Sequence, residues 1–346
     1  MIIVSKMTCA LQLFCVLLLA LQQARSSDQE EPSKYWVFRP NVIVLDVDLT
    51  KSTSSHVELS CGEAHQLRDV HWKKDNRKLR ERGNVITVEV VEMFGGNYTC
   101  HDSSGATLNH TLVLVQETNN EKGPFPKTIL KNEENNYITC KAKNYSGDFE
   151  CSWQLQENRE DATLFVSAER LASSEVSSIS CTMDEHESKA SCQDSSFCPY
   201  REERDRINFT LYATHLYRFE EYSKVFYIHE ILKPDSPENL KVCRINVTWD
   251  YPANWKHSRS YFPLTFQVKV VKGSCDSLQA QPTGTDEATS LKLSKKYRHK
   301  GNSICVRAKD MFCDSAWSDW KQANHEPQRR KRNPAHSHHR PQGFSQ

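Results

Sequence analysis

The sequence has little glycine and none of the short motifs that mark common enzyme classes. Only 11 of its 346 residues are glycine, and no G-x-G-x-x-G or Walker-type loop is present to hold a phosphate group. H-E-x-x-H and G-x-S-x-G are also missing, so the usual zinc-protease and serine-hydrolase sites are not predicted. We therefore expect no catalytic, cofactor or metal site, and a protein that is not an enzyme.

A large net charge and a membrane-length apolar run are missing too. The formal net charge is +1, so no global field indicates nucleic acid binding. The run Leu11–Leu21 is shorter than the roughly 20 apolar residues that cross a bilayer. Lys6 precedes it and small residues follow at Ala24–Ser27, a pattern that predicts a signal peptide over residues 1–26. We expect a secreted, extracellular chain that does not span a membrane.

Cysteine is abundant. Cys9 and Cys15 lie in the predicted signal peptide, which leaves 11 of the 13 cysteines. Thiols pair in an oxidising compartment, and an odd number leaves at least one cysteine free or bonded to another chain.

Spacing along the chain suggests which cysteines pair. The suggested pairs are Cys61–Cys100, Cys140–Cys151 and Cys181–Cys192. Four more cysteines can pair among themselves in three ways, between which the sequence does not choose: Cys243, Cys275, Cys305 and Cys313. Cys198 is then left over, and we favour an interchain bond because exposed free thiols are rare in secreted proteins. The alternatives are a buried, inert Cys198, or internal pairing of Cys198 that leaves a different odd cysteine.

The first segment carries an immunoglobulin signature. Val57–Cys61 alternates apolar and polar residues, as a half-buried strand does. Trp72 follows, and Tyr98 stands two residues before Cys100, which is the pattern of an immunoglobulin core. One departure is Phe94, which replaces the usual Asp four residues before the tyrosine. These residues predict an immunoglobulin-like sandwich over residues 27–118.

Two further sandwiches are predicted from cytokine receptor motifs. Cys140, Cys151 and Trp153 resemble the first disulfide-and-tryptophan signature of class I cytokine receptors, which predicts a fibronectin type III domain over residues 119–234. Prolines in Lys233–Leu240 predict a stiff elbow. The segment Trp317–Lys321 resembles the W-S-x-W-S box with Lys for the last Ser, which predicts a second such domain over residues 235–325. The predicted fold class is therefore all-β, an immunoglobulin-like sandwich followed by two fibronectin type III sandwiches.

Several surface features accompany these motifs. In the receptor family cations stack between the two indoles of the box, and the candidates here are Arg307 and Lys309, with Trp317 and Trp320 as the rings and as a possible C-mannosylation site. N-glycosylation is predicted at five sequons: Asn97, Asn109, Asn144, Asn208 and Asn246. The tail, residues 326–346, is predicted to be disordered. Its Arg329–Arg332 resembles a furin-type site, or a basic segment that touches heparan-like polyanions.

The order of the three domains resembles the beta subunits of interleukin-12-type heterodimeric cytokines, which are built like soluble class I cytokine receptors. The resemblance covers about residues 35 to 323. It includes matching sequence segments beyond the general motifs: Cys140–Gly147, Cys192–Cys198, Lys233–Asp235 and Tyr261–Phe266.

That resemblance implies a partner and a site. The partner would be a four-helix alpha subunit of the interleukin-12 alpha or interleukin-23 alpha type, bound at the elbow between the second and third domains. Asp310 would pair with an arginine of that subunit, and Cys198 matches the interchain cysteine. The other matching positions are aromatic residues around the pocket and an acidic contact: Tyr145, Tyr261, Phe312 and Glu202. Cys313 stands where the family has another aromatic residue.

The implied function is a disulfide-linked cytokine heterodimer that signals through cell-surface receptors in immune regulation. One alternative is a soluble receptor alpha chain that binds its cytokine reversibly. A homodimer through Cys198 lies between the two. A secreted enzyme with accessory sandwiches is a third alternative, but no segment is large enough for a catalytic domain.

Overall fold

A computed structural model describes residues 35–51, 53–118, 126–134, 136–171, 178–186, 188–243, 245–256, 259–276, 284–286, 289–293, 302–313 and 315–324. The predicted signal peptide, the tail with Arg329–Arg332, and residues 119–125 of the segment between the first two predicted domains lie outside these residues. Within the described ranges no helix is long and apolar enough to cross a membrane.

The described chain is built almost entirely of strands. The first eight are β1 Tyr35–Arg39, β2 Val42–Val47, β3 Ser54–Ser60, β4 His71–Lys74, β5 Arg77–Arg82, β6 Val85–Val91, β7 Gly96–His101 and β8 Thr107–Glu117. The next seven are β9 Thr139–Lys141, β10 Asp148–Ser152, β11 Thr163–Arg170, β12 Ile179–Met183, β13 Lys189–Asp194, β14 Ile207–His215 and β15 Arg218–Phe226. The last seven are β16 Glu238–Cys243, β17 Asn246–Asp250, β18 Leu264–Lys272, β19 Gly284–Asp286, β20 Ser290–Lys292, β21 Asn302–Asp310 and β22 Lys321–Asn324. Two short 3-10 helices cover Glu63–His65 and Ile228–Ile231.

Contacts divide the chain into two compact units. The first comprises the described residues of Met1–Asn135, Gln154–Phe165 and Leu211–Tyr222. The second comprises those of Asn136–Trp153, Val166–Thr210 and Ser223–Gln346. The strands and sheets confirm the all-β fold class, while the three domain limits stay a prediction.

The first unit contains an immunoglobulin-like sandwich. Six strands of a nine-stranded sheet follow the order β5-β4-β7-β8-β2-β1, with β2 parallel to β8, and the β3–β6 pair forms the other layer. The Cys61–Cys100 disulfide lies in the core with buried Trp72 and Tyr98. The Trp72 indole donates a hydrogen bond to the Gly83 carbonyl at 2.9 Å, so its one polar atom is satisfied.

Phe94, the departure in the immunoglobulin signature, is exposed. The Lys74 ammonium donates to its carbonyl oxygen at 2.9 Å.

The buried carboxylate of Glu220 anchors the backbone at residues 128 and 129. Glu220 accepts hydrogen bonds from the backbone N–H groups of Thr128 and Ile129, at 2.9 and 3.0 Å. It also accepts from the Tyr222 hydroxyl and from the Arg218 guanidinium, the latter at 2.7 Å. Burial alone would raise the pKa of Glu220, but these donors outweigh it and hold the pKa below its ordinary value.

We expect Glu220→Gln to lower the free energy of unfolding by about 1–3 kcal/mol, because the new amide NH2 group faces backbone N–H donors that the carboxylate accepted from. Arg218 keeps its second partner, Glu117. Since the folded pKa of Glu220 is depressed, its stabilisation is present above the ordinary value of 4.5 and is lost as the pH falls through the folded value. Thermal unfolding between pH 3 and 7 measures both effects. The neighbouring Glu221→Gln is the control, and an equal loss in both variants would contradict the assignment.

The second unit contains stapled sheets. In the sheet of order β12-β13-β10-β9, Cys140–Cys151 joins β9 to β10 and Cys181–Cys192 joins β12 to β13. Both bonds connect residues that face each other in the strand register. Buried Trp153 packs against Phe209, with ring centroids 6.2 Å apart. These are the two pairs suggested by spacing, with the tryptophan in the core.

The last part of the second unit has the sheets β16-β17-β20 and β19-β18-β21-β22. Buried Trp249 packs edge-on against Phe266 at 5.6 Å. A fourth disulfide joins Cys275 to Cys305.

Cys243 and Cys313, which the sequence grouped with Cys275 and Cys305 as cysteines that can pair, are both free. The expectation that these four pair among themselves was therefore wrong for two of them. Cys243 is exposed at the end of β16. The sulfur of Cys313 instead lies 3.3 Å from the Tyr145 hydroxyl oxygen.

Candidate partner-binding site

The carboxylate of Asp310 is buried at the end of β21, with 1% of the residue exposed. One oxygen accepts from the backbone N–H groups of Phe312 and Cys313, at 2.8 and 3.0 Å. The other accepts from the Tyr145 hydroxyl at 3.3 Å. Among the described residues no salt bridge reaches Asp310. A buried carboxylate held only by neutral donors favours a cation at this place.

Aromatic side chains surround this carboxylate on the surface. Four large apolar side chains are exposed here, and we call them the aromatic surface: Tyr200, Tyr261, Met311 and Phe312, exposed by 63%, 67%, 39% and 69%. Tyr200 packs on Tyr261 and Phe262, with ring centroids 5.8 and 5.5 Å apart. Large exposed apolar groups that lie together mark interaction sites.

Tyr145 and Phe262 form the floor beneath the aromatic surface. Their ring centroids are 4.7 Å apart. The Trp255 indole donates to the Phe262 carbonyl at 2.9 Å and its ring lies 5.9 Å from Tyr145. The floor is thus fixed by packing and by a hydrogen bond before any partner arrives.

Two weak acids beside Asp310 stay protonated at neutral pH. Burial, together with the Cys313 and Asp310 side chains, raises the pKa of the Tyr145 hydroxyl far above its usual range. Burial raises the pKa of the Cys313 thiol to about 12. The Asp310 carboxylate is therefore flanked by neutral groups.

A close backbone approach brings the loop of Cys198 beside the loop of Tyr145. Gly147 has φ +88°, and a Cβ atom there would come within 2.8 Å of both the Asp194 carbonyl and the Phe197 Cβ. Only glycine fits this position. The Asp194 N–H donates to the Gly147 carbonyl at 3.1 Å.

Asp194 holds the start of the Cys198 loop. Its buried carboxylate pairs with Arg170 and accepts from the N–H of Ser196 at 3.0 Å. Burial would raise the pKa of Asp194, but Ser196, Arg170 and Ser178 outweigh it and lower the pKa. The loop that carries Cys198 is therefore anchored at its first residue.

The other end of this segment is also held. The Glu203 carboxylate accepts from the N–H groups of Ile228 and His229, at 2.9 and 3.2 Å. Between the two anchors, Cys198 and Glu202 are exposed. Both positions are accessible to a partner.

The structure brings most of the predicted site residues together. Tyr145, Asp310 and Phe312 join through hydrogen bonds around one carboxylate, and Tyr261 joins them through Tyr200 and Phe262. Cys198 and Glu202 share a segment with Tyr200, and among the described residues no salt bridge joins Glu202 to the others. Sequence reasoning gave no role to four residues of the floor and the aromatic surface: Tyr200, Trp255, Phe262 and Met311. In the sequence, the position of Tyr200 two residues after Cys198 was the feature that could have indicated its place in the site.

Known proteins resemble this chain over most of its length. A family model described as the C-terminus of cytokine interleukin-12p40 matches residues 135–215. Interleukin-12 subunit beta of Homo sapiens is 31% identical over 310 residues, which cover 82% of this chain and 91% of the human protein. The proteins of the same name from Marmota monax and Lama glama are 31% identical over 312 residues with the same coverage. The chain belongs to the interleukin-12 subunit beta family.

This family consists of cytokine subunits and not of enzymes, so the expectation that the chain is not an enzyme is confirmed.

The Trp–Ser–x–Trp segment of this family member forms a stack of alternating cations and indoles. The Lys309 ammonium lies 5.3 Å from the Trp317 ring centroid. The Arg307 guanidinium lies 4.6 Å from Trp317 and 4.4 Å from Trp320.

Lys269, on β18, adds a third cation 4.3 Å from the Trp320 ring, which the sequence did not indicate. Each such contact contributes about 0.5–2 kcal/mol. Lys321, which replaces the last Ser of the W-S-x-W-S box, is the first residue of β22 and lies opposite Val306.

The five sequons differ in exposure. Asn97 and Asn246 are exposed. The other three asparagines are half-buried, and each amide nitrogen donates a hydrogen bond. Asn109 donates to the Cys61 carbonyl, Asn144 to the Asn254 carbonyl, and Asn208 to the Thr210 hydroxyl. Glycosylation stays a prediction at all five, and the two exposed asparagines present the better acceptors.

The free cysteines of the chain alone should differ in alkylation. We expect iodoacetamide at pH 8 to modify the exposed Cys198 and Cys243 and to spare Cys313, because the thiolate is the nucleophile and the pKa of Cys313 is about 12. Peptide mass spectrometry measures the three extents, and alkylation in denaturant, where all three react, is the control. Equal modification of Cys313 in the folded chain would contradict its described environment.

Proposed function

We propose that this chain is the secreted beta subunit of a heterodimeric cytokine, and that it binds a four-helix alpha subunit through the aromatic surface around Asp310. The alpha subunit is of the interleukin-12 alpha or interleukin-23 alpha type, and the pair signals through a cell-surface receptor. The observation that carries this proposal is the buried Asp310 carboxylate, which has neutral donors and exposed aromatic neighbours.

The chemistry of the site supports a partner that inserts a cation. An arginine from a helix of the alpha subunit would reach Asp310 between Tyr145 and Phe312, and the aromatic side chains would exclude water around the pair. Desolvated aromatic anchors and arginine pairs are the groups that dominate protein interfaces. The Tyr145 hydroxyl stays protonated and donates to Asp310, so the negative charge remains for the incoming arginine.

Asp310→Asn removes this charge and keeps an oxygen that accepts from Phe312 and Cys313. We expect the affinity for the alpha subunit to fall by about 2–5 kcal/mol, at least 30-fold, since the inserted cation would stay buried and unpaired. Binding is measured in a Cys198→Ser background, so that no covalent bond hides the loss.

Glu202→Gln is the matched control for that experiment. Glu202 is exposed, so the same loss of one charge costs about 1 kcal/mol or less. Thermal unfolding of both variants shows whether the fold is kept. Equal affinity of the Asp310→Asn chain and the parent would sink the proposed role of this carboxylate.

Parity alone does not select the cysteine of the covalent link, because three cysteines are free. Four disulfides use eight of the 11 cysteines that follow residue 26, and Cys198, Cys243 and Cys313 are free. Cys313 is partly buried, with its sulfur beside the Tyr145 hydroxyl. Cys198 and Cys243 are both exposed, and we propose Cys198 because its loop is anchored beside the aromatic surface.

Co-expression with candidate alpha chains and non-reducing electrophoresis test this link. We expect Cys198→Ser to abolish the reducible heterodimer and Cys243→Ser to leave it intact. The reverse result would assign the bond to Cys243. Reversible binding with no interchain bond even in the parent chain would favour a soluble receptor alpha chain, and a reducible dimer of the chain alone would favour the homodimer.

A further inference from the structure

The exposed Cys198 begins a tight turn whose backbone shape is fixed. The Arg201 N–H donates to the Cys198 carbonyl at 3.1 Å, which closes a turn of four residues. Pro199 is the second residue of this turn, where the proline ring sets the φ angle that the turn requires. Tyr200 is the third residue. Cys198 and Tyr200 therefore belong to one short piece of backbone, so that a contact which holds Tyr200 also restricts Cys198.

The side chain of Tyr200 attaches this turn to the aromatic surface. Its ring packs edge-on against Tyr261, with centroids 5.8 Å apart, and at an angle to Phe262, with centroids 5.5 Å apart. Edge-to-face and tilted ring pairs are favoured by the charge distribution of the rings. Phe262 is buried, and its ring lies 4.7 Å from that of Tyr145 in the floor of the site. The turn is thus attached to the same rings that surround the Asp310 carboxylate.

Tyr200 holds the middle of a segment whose two ends are anchored elsewhere. The Asp194 carboxylate holds the first end through Arg170, and the Glu203 carboxylate holds the other end through the backbone of Ile228. Both anchors lie several residues from Cys198, whereas Tyr200 is two residues away. Because 63% of Tyr200 is exposed, its ring adds little to the core. Its contacts instead fix where the turn lies.

The place of the turn matters because a disulfide has a narrow geometry. Two cysteines can be joined only where their Cβ atoms come within about 3.5–4.5 Å of each other. Once two chains are docked, a thiol that is held at the required place acts at a higher effective concentration than one on a mobile loop. The Cys198 thiol is free and exposed, and the Tyr200 contacts keep it beside the surface on which a partner docks.

We propose that Tyr200 is a positioning residue, which holds the Cys198 thiol at the place where the docked alpha subunit presents its cysteine and so speeds formation of the interchain bond. This inference rests on the proposed function, and it adds the residue that couples docking to the covalent link. Tyr200 takes no part in the chemistry itself.

The bond forms by thiol–disulfide exchange with a small disulfide such as oxidised glutathione as the oxidant. The Cys198 thiolate attacks this disulfide, which gives a mixed disulfide on Cys198 and releases one glutathione thiolate. A cysteine thiolate of the alpha subunit then attacks the Cys198 sulfur. The bond between the chains forms as the second glutathione thiolate leaves, so the oxidant takes up both electrons. Tyr200 acts on this second exchange, in which the two chains must meet.

The rate of the second exchange tests the proposal in the whole chain. The chain is prepared in a Cys243→Ser background with glutathione already on Cys198, and a saturating concentration of reduced alpha subunit is added. Saturation removes any effect of Tyr200 on affinity. Acid quenching and non-reducing electrophoresis then give the first-order rate. We expect Tyr200→Ala to form the bond about tenfold more slowly, and Tyr200→Phe to react at the parental rate because it keeps the ring.

A matched variant and a measurement on the chain alone separate positioning from docking. Phe94 is an aromatic residue of the first unit with 67% exposed, and Phe94→Ala should leave the rate unchanged. A nitroxide label on Cys198, again with Cys243→Ser, reports the mobility of the turn by electron paramagnetic resonance without any alpha subunit. We expect the label to become more mobile in Tyr200→Ala and to keep the parental spectrum in Tyr200→Phe.

Two results would overturn the proposal: bond formation at the parental rate in Tyr200→Ala, or an unchanged label spectrum in that variant. Equally slow bond formation in Tyr200→Phe and Tyr200→Ala would also overturn it, since the ring contacts would then not set the rate. Absence of any complex between the parent chain and alpha subunits would refute the proposed function instead. The label spectra would then decide on their own whether Tyr200 positions Cys198.

Discussion

The buried carboxylate of Asp310 organises the partner-binding end of this protein. Asp310 is the last residue of β21 and lies opposite Leu264, the first residue of β18. That register makes the segments around Phe262 and Phe312 leave the sheet at the same end, where the Met311 N–H donates to the Pro263 carbonyl at 3.1 Å. The exposed aromatic side chains therefore surround the carboxylate because one strand pair ends there.

The same strand links this site to the cation–indole stack. Arg307 and Lys309 point to one face of β21 and pack on the indoles, while Val306 and Ala308 are buried on the other. Ser318, between the two indoles, accepts from the Ala308 N–H at 2.9 Å and donates its own N–H to Ala308 O at 2.7 Å. The stack thus stiffens the strand that presents Asp310, which gives it a positioning role.

Local patterns in the sequence predicted the features that depend only on residues close together along the chain. Arg307 and Lys309 are two residues apart, so strand alternation alone placed them on one face. Lys269 completes the stack from another strand, opposite Cys305, and only the register of β18 on β21 shows this. The free state of Cys243 and Cys313 was missed for the same reason, because pairing depends on which strand ends meet. Tyr200 and Phe262 likewise meet through loops far apart in sequence.

The overall composition also does not reveal the charge clusters that the strand register creates. A net charge of +1 over the whole chain correctly argued against a global field, yet it says nothing of one face of one sheet. The alternation of β4 and β5 sends Lys73 and Lys78 to the same side, opposite each other, and the carboxylates that balance them in the total lie elsewhere. Because such pairs oppose folding of the sheet, the buried core beneath them, which includes Trp72 and Tyr98, must offset their repulsion.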